Sequence, residues 1–246
     1  MEVIGDGFLA HHLRPVRTVR PDAVVIAAGV SGSDDRAYTE YRREAELVDR
    51  TIRRCRRDGQ QLILFSTASA GMYGDVECRG MEDEPVTPIS VFGRHKLEME
   101  AAVRDSGVRH LILRLAHVVG PGQRGHQLVP ALTRQLRTGR VTVYRSARRD
   151  ILGAAEFTRI TGELLCRGVE DQIVNVGTGV STAVERIVDH LEERLGTTAE
   201  RSYTDGAKSS CALSMDKLRR LVPAIDRMGF GPDYYRTVID RYLENP

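Results

Sequence analysis

The 246-residue sequence has no tryptophan and only 5 phenylalanines, so aromatic bulk cannot fill its core and branched aliphatics must. It is almost as poor in lysine: Lys96, Lys208 and Lys217 are the only three, and arginine carries nearly all the positive charge. Arginine cannot readily give up a proton whereas lysine can, so a lysine kept against that background hints at chemistry. The four cysteines, Cys55, Cys78, Cys166 and Cys211, form no C-x-x-C pair and have no histidine at metal-ligand spacing. That pattern disfavours a metal site or a disulfide framework and fits free thiols in a reducing compartment. No apolar run is long enough to span a membrane and the N-terminus lacks a signal-peptide pattern, so the expected location is cytoplasmic, with no membrane partner. The net charge of +2 comes from interspersed arginines and acids, which leaves no basic stripe to suggest a nucleic-acid partner.

What is present is ordinary for one soluble domain: 41% hydrophobic and 28% charged residues, enough for one substantial core. Apolar strands at Ala23–Ala28, Gln61–Ser66, Val108–Val118 and Gln172–Val176 alternate with helical patterns over Asp34–Asp58, Ser90–Glu100, Gln127–Thr138 and Ala183–Leu195, with a last helix ending at Tyr242. The alternation predicts an α/β fold, a doubly wound parallel sheet with right-handed crossovers. Gly59 is placed to stop the long polar helix. Cys78–Ser90, with Pro85, Pro88 and an acidic run, reads as a surface loop.

The chain opens with a short strand (Val3, Ile4) and then Gly5-x-Gly7-x-x-Ala10. This is the dinucleotide fingerprint with Ala in the third place: Gly5 for the tight turn, Gly7 for approach of a pyrophosphate, then a helix start. Such a turn also forms without a ligand. A full dinucleotide half-domain continues through two more strands, the first of them carrying an acid for the ribose. Here only Arg14–Arg20 intervenes before the next strand. Arg14, Arg17 and Arg20 are candidates for a 2′-phosphate, favouring NADPH over NADH, against the plainer reading of solvated linker charges.

Several further pieces fall in a familiar order. They are Ser66-Thr67-Ala68-Ser69 through Tyr73-Gly74, Phe92-x-x-x-Lys96, Arg114 followed by Gly120-Pro121-Gly122-Gln123, Arg149-Asp150 through Glu156, and Asn175-x-Gly177-x-Gly179 before Ser181. Together they resemble the extended short-chain dehydrogenase/reductase family of nucleotide-sugar epimerases, dehydratases and ketoreductases. The resemblance implies a shortened Rossmann-like single domain over 1–246, in which 120–160 and 178–246 contribute a small substrate-side lobe. Against the family pattern some forty residues of the first half-domain are absent. The family carries Tyr-x-x-x-Lys where this chain has Phe92 and Lys96, and Asn and Tyr where it has His117 and Val119.

By resemblance the catalytic candidates are Ser69, Tyr73, Lys96 and His117. The cofactor-binding candidates are Gly5, Gly7, Phe8, Leu9, Ala28, Gly29, Ser66, Lys96 and Leu115. The expected cofactor is NADP, with NAD possible; the expected partner is a small sugar-like substrate, and a homodimer is an allowed assembly. Phenylalanine cannot carry a proton. Three readings follow: a reductase or epimerase in which Tyr73, Ser69, His95 or His117 relays the proton; a non-redox sugar-modifying enzyme; and an inactive relative that binds a partner. The retained Gly5, Gly7, Ser69 and Lys96 favour the first.

Overall fold

The computed structural model describes residues 1–30, 37–74, 79–205 and 212–245. Cys78, Cys211, Lys208 and the expected helix start at Asp34 lie outside them. In chain order the elements are β1 (Glu2–Ile4), α1 (Phe8–His12), β2 (Ala23–Ile26), α2 (Ala37–Asp58), β3 (Gln61–Thr67), α3 (Ala70–Tyr73), α4 (Val91–Asp105), β4 (His110–Leu115) and β5 (His117–Val119). There follow α5 (Leu128–Arg137), β6 (Arg140–Tyr144), β7 (Arg148–Gly153), α6 (Ala154–Cys166), β8 (Gln172–Val176), β9 (Ser181–Ala183), α7 (Val184–Leu195), β10 (Glu200–Thr204), α8 (Asp216–Leu221) and α9 (Tyr234–Glu244). Gly59, at φ +65°, is the left-handed stop after α2. Ser90 caps α4, its hydroxyl accepting from the Gly93 amide at 2.9 Å.

Five strands form one parallel sheet in the order β1-β2-β3-β4-β8. Every residue of β2, β3 and β4 is buried, as strands covered on both faces require. Side chains alternate between two cores. Val24, Leu62, Leu64 and Ile112 face Val48 and Ile52 of α2 and Met99 and Val103 of α4. Val25, Ile63, Leu111 and Leu113 pack with Phe157, Ile160 and Leu164 of α6. The sheet is therefore doubly wound and Rossmann-like, from one period-2 pattern read on both faces.

The first half of this sheet is one strand deep. β1 pairs directly with β2 and stands at the sheet edge, where a full dinucleotide domain would place two further strands. The connection holds only α1 and a turn of 3-10 helix at Arg14–Val16. Beyond β4 the chain builds a third core from Val129 and Leu136 of α5, Val141 and Val143 of β6, Ile187 and Leu191 of α7, and Tyr235 and Ile239 of α9. This part carries two small sheets, β10-β6 and β5-β7-β9. Asp150 of β7 ties it to the main sheet by accepting from the amides of Thr178 and Gly179 and from the Thr178 hydroxyl.

The segment 79–90 lacks regular structure, but it is not wholly a surface loop. Glu82 is buried, and its carboxylate accepts the Asn175 amide at 2.8 Å. Asn175 in turn accepts from the Tyr73 hydroxyl at 2.6 Å and donates to the Gly80 carbonyl. Arg114, paired with Glu100 at 2.8 Å, donates to the same Tyr73 oxygen at 3.1 Å. A phenol removed from this network strands the Asn175 carbonyl and one guanidinium N–H. Tyr73→Phe is expected to lower stability by about 1–3 kcal/mol, read as a lower urea midpoint with an unchanged m-value.

Candidate active-site cleft

A cleft of about 640 Å³ opens outside the carboxyl ends of β1 to β4, the place where open α/β sheets bind ligands. Gly7 and Phe8 come from the turn after β1, Gly29 follows β2, Ser66 and Ser69 end β3, and Leu115 and His117 end β4. Phe92 and Lys96 enter from α4, and Gln123, Arg124 and Arg149 from the outer lobe. Among the described residues, no aspartate or glutamate lines the cleft.

Most of the candidates named from sequence meet here: Gly7, Phe8, Leu9, Gly29, Ser66, Ser69, Lys96, Leu115 and His117 all line the cleft. Gly5 and Ala28 stand just behind the wall. Gly5 adopts φ +122°, and a Cβ there would meet the Ala27 carbonyl at 2.8 Å and the Ala28 amide nitrogen at 3.1 Å. Its glycine is thus needed for the turn itself. Tyr73 is placed elsewhere: its ring is 3% exposed, and its hydroxyl is committed to Asn175 and Arg114. Burial pushes that phenol above its ordinary value, against the pull of Arg114. Tyr73 holds the core and does not face the cleft.

Two other expectations from the sequence are revised. α1 has five residues, too short to project a large dipole at a pyrophosphate, so any approach at Gly7 relies on local amides and open space. None of the arginines considered for a 2′-phosphate is among the residues that line the cleft. Arg20 pairs with Asp22 and Glu170, and the Arg17 carbonyl accepts from the Met1 ammonium at 2.5 Å, all at the amino ends of the strands. The cation beside the Gly7 turn is Arg124, whose Nη2 lies 3.8 Å from where a Gly7 Cβ would stand.

Lys96 sits in a cluster that the sequence did not reveal. Its Nζ donates to Glu44 Oε1 of α2 at 2.6 Å, and the Val30 amide donates to Oε2 at 2.9 Å. His95 Nε2 lies 3.1 Å from Oε2, and an ionised carboxylate only accepts, so that nitrogen carries the proton. Burial alone would push Glu44 upward, but the His95 bond, the Lys96 charge and the Val30 amide outweigh it and hold the carboxyl at about 2. Gly29 leaves room for the pair: a Cβ there would fall 2.6 Å from Glu44 Oε1 and 2.8 Å from Lys96 Nζ. Glu44 belongs to a long polar helix, and nothing in its local pattern distinguishes it from the other acids of α2.

The remaining wall is cationic and open to a ligand. Arg149 donates only to the Arg148 carbonyl, at 2.7 Å, and no carboxylate pairs with it among the described residues. Burial and the nearby Arg149 charge push His117 down to about 3, so its imidazole is neutral at physiological pH. The Ser66 hydroxyl and the Gln123 side-chain oxygen are buried at the wall without a hydrogen-bond partner among the described residues. Orphaned polar atoms beside an open glycine turn fit a ribose and phosphate group. Among the described residues no strand pairs with the outer edge of β1, where the adenosine side of a dinucleotide domain would lie.

The chain belongs to the NAD dependent epimerase/dehydratase family, whose pattern matches residues 12–177 and so begins after the Gly5-x-Gly7 turn. It is similar to dTDP-6-deoxy-L-talose 4-dehydrogenase (NAD(P)(+)) of Kitasatospora kifunensis, 29% identical over 196 residues, covering 74% of this chain and 61% of that protein. It also resembles UDP-glucose 4-epimerase of Azospirillum brasilense, 28% identical over 251 residues, covering 87% of this chain and 72% of that one. Among solved structures, RMD from Pseudomonas aeruginosa complexed with NADPH superposes with a TM-score of 0.78 at 19% identity, covering 99% of this chain and 97% of the other. The chain thus spans about three-fifths of the talose dehydrogenase's length. No described helix is long and apolar enough to cross a membrane.

The depressed Glu44 carboxyl has a consequence for acid stability. Its folded value of about 2 lies below the unfolded 4.5, so its contribution is complete above pH 4.5 and is lost as pH falls through the interval toward 2. The contribution is on the order of 3 kcal/mol. The stability gap between wild type and Glu44→Gln, from urea melts, is expected to shrink as pH is lowered from about 5 to about 2.

Proposed function

We propose that the protein is an NAD(P)H-dependent reductase or epimerase that acts on the keto form of a sugar nucleotide. The observation that carries this reading is the cleft's composition: the Gly7 turn, Ser69, Lys96 and His117 meet at the carboxyl ends of the strands, and among the described residues Arg149 has no carboxylate partner and the wall holds no acid. A partly buried guanidinium without a carboxylate is costly until an anion reaches it, and a nucleotide diphosphate supplies one. Family membership and the two sugar-nucleotide enzymes among the relatives point the same way.

In this reading the Gly7 turn and Ser66 receive the phosphate and ribose of a nicotinamide dinucleotide, which supplies the hydride. Leu115 and Phe8 give its ring an apolar wall. Ser69 hydrogen-bonds the substrate oxygen whose charge changes. His117, held neutral, orients the sugar by hydrogen bonding and does not act as a cationic acid. Arg149 holds the substrate diphosphate. Either cofactor form suits the site, since Arg14, Arg17 and Arg20 are not among the residues that line it.

One pair of observations favours a second reading, a non-redox enzyme on the same substrate class: Phe92 offers no proton, and among the described residues β1 has no neighbour on the adenosine side. Titration calorimetry with NADPH and NADH separates the two, because binding of neither removes the first. For either reading, Arg149→Ala is expected to weaken UDP or dTDP binding about 10- to 100-fold, the loss of one charge-assisted contact. Unchanged affinity by calorimetry would remove Arg149 from the diphosphate site.

A further inference from the structure

Lys96 brings an ammonium to the cleft wall, and Glu44 holds it there. Tyr73 faces the core, His117 is neutral, arginine does not release protons at neutral pH, and the other phenol and imidazole of the wall, Tyr144 and His126, come from the outer lobe. Phe92 stands at the family's tyrosine place and lines the cleft; its ring centroid is 5.6 Å from Lys96 Nζ. Lys96 also lines the cleft, while its side chain is 5% exposed and its partner Glu44 1%. The groups around this pair are His95 and Phe92 from α4, the Val30 amide from the loop after β2, and Tyr41, whose ring lies 4.6 Å from that of His95. Glu44 therefore has three donors on its two oxygens and no freedom to swing away.

We propose that Lys96 delivers the proton to the substrate oxygen in place of a tyrosine, and that Glu44, fixed by His95 and the Val30 amide, is the residue that positions it. The inference rests on the redox reading above. As hydride from the reduced nicotinamide forms the new C–H bond, the carbonyl π pair moves onto oxygen. That oxygen takes a proton from the Lys96 ammonium, so an N–H bond breaks and an O–H bond forms. The nicotinamide leaves oxidised, and the neutral amine regains its proton from water through the open cleft. An alkoxide is a far stronger base than an amine, so the transfer runs downhill in the reducing direction.

Two measurements test this. The first needs no cofactor. With only three lysines in the sequence, ¹⁵N-lysine NMR of the free protein resolves the Lys96 ammonium individually, its signal assigned by loss in Lys96→Met. Held against Glu44, that ammonium is expected to exchange slowly and give a sharp signal, which broadens in Glu44→Gln. The second is steady-state reduction of a keto-sugar nucleotide. Lys96→Met is expected to lower kcat by about 10²–10⁴-fold. Glu44→Gln is expected to lower kcat about 10²-fold with KM little changed. Glu44→Asp keeps the charge, and is expected to fold and to recover part of the rate; it serves in both arms if Glu44→Gln does not fold. A Lys96 signal indifferent to both Glu44 variants, or wild-type kcat in a folded Glu44 variant, overturns the positioning role. If wild type binds neither NADPH nor NADH, the redox reading and the Lys96 proton step fall together, while the NMR arm still decides whether Glu44 holds Lys96.

Discussion

The contact on which the cleft depends is the ion pair between Glu44 and Lys96, 2.6 Å long, with Glu44 buried and Lys96 reaching the cleft wall. A charge moved out of water needs a partner of opposite sign and hydrogen bonds for its remaining lone pairs. Glu44 obtains both, from Lys96, His95 and the Val30 amide. The pair crosses from α2 to α4, so it fixes the separation of the two helices that cover one face of the sheet. It also explains Gly29, since any side chain there would collide with the pair. Removing one partner leaves the other stranded, at a cost of about 3–5 kcal/mol in comparable settings.

The same helix carries a second buried pair one turn later. Glu100 binds Arg114 of β4, and Arg114 reaches Tyr73, which reaches Asn175 of β8. α4 is thereby tied to α2 by one pair and to the sheet by the other. Lys96 and Glu100 are four residues apart, so one helical face presents both charges. This rigidity suits a site whose reacting groups must hold their places to within a fraction of an ångström. It also accounts for the fate of Tyr73, whose phenol completes the second network.

The sheet itself is asymmetric in a way that bears on ligand binding. In a full doubly wound domain the crevice lies where the strand order reverses. Here the order runs one way from β1 to β8, and β1 has a free edge. The crevice keeps its inner wall, built from the ends of β1 to β4, and gains its outer wall from Arg124 and Arg149. Positive charge on that outer wall comes from loops beyond β5 and from β7, not from the arginine-rich link after α1.

Much of this was legible in the residues. Continuous apolar runs marked the central strands, because strands covered on both faces need no polar alternation. Gly5, with its φ of +122°, and Gly59 were legible because a left-handed backbone selects glycine. Local order also placed Lys96 one turn after Phe92, and Ser69 just beyond the end of β3. What the sequence could not decide was how separate elements met. Glu44 and Lys96 are 52 residues apart, and Tyr73 and Asn175 102, so neither pairing leaves a local signal. Tyr73 sat beside a plausible catalytic serine in sequence, yet one helical turn directs it into the core. The identity of the residues and their local geometry were set by the chain; which charges neutralise one another, and which remain free for a ligand, was decided only when the helices packed on the sheet and took those charges out of water.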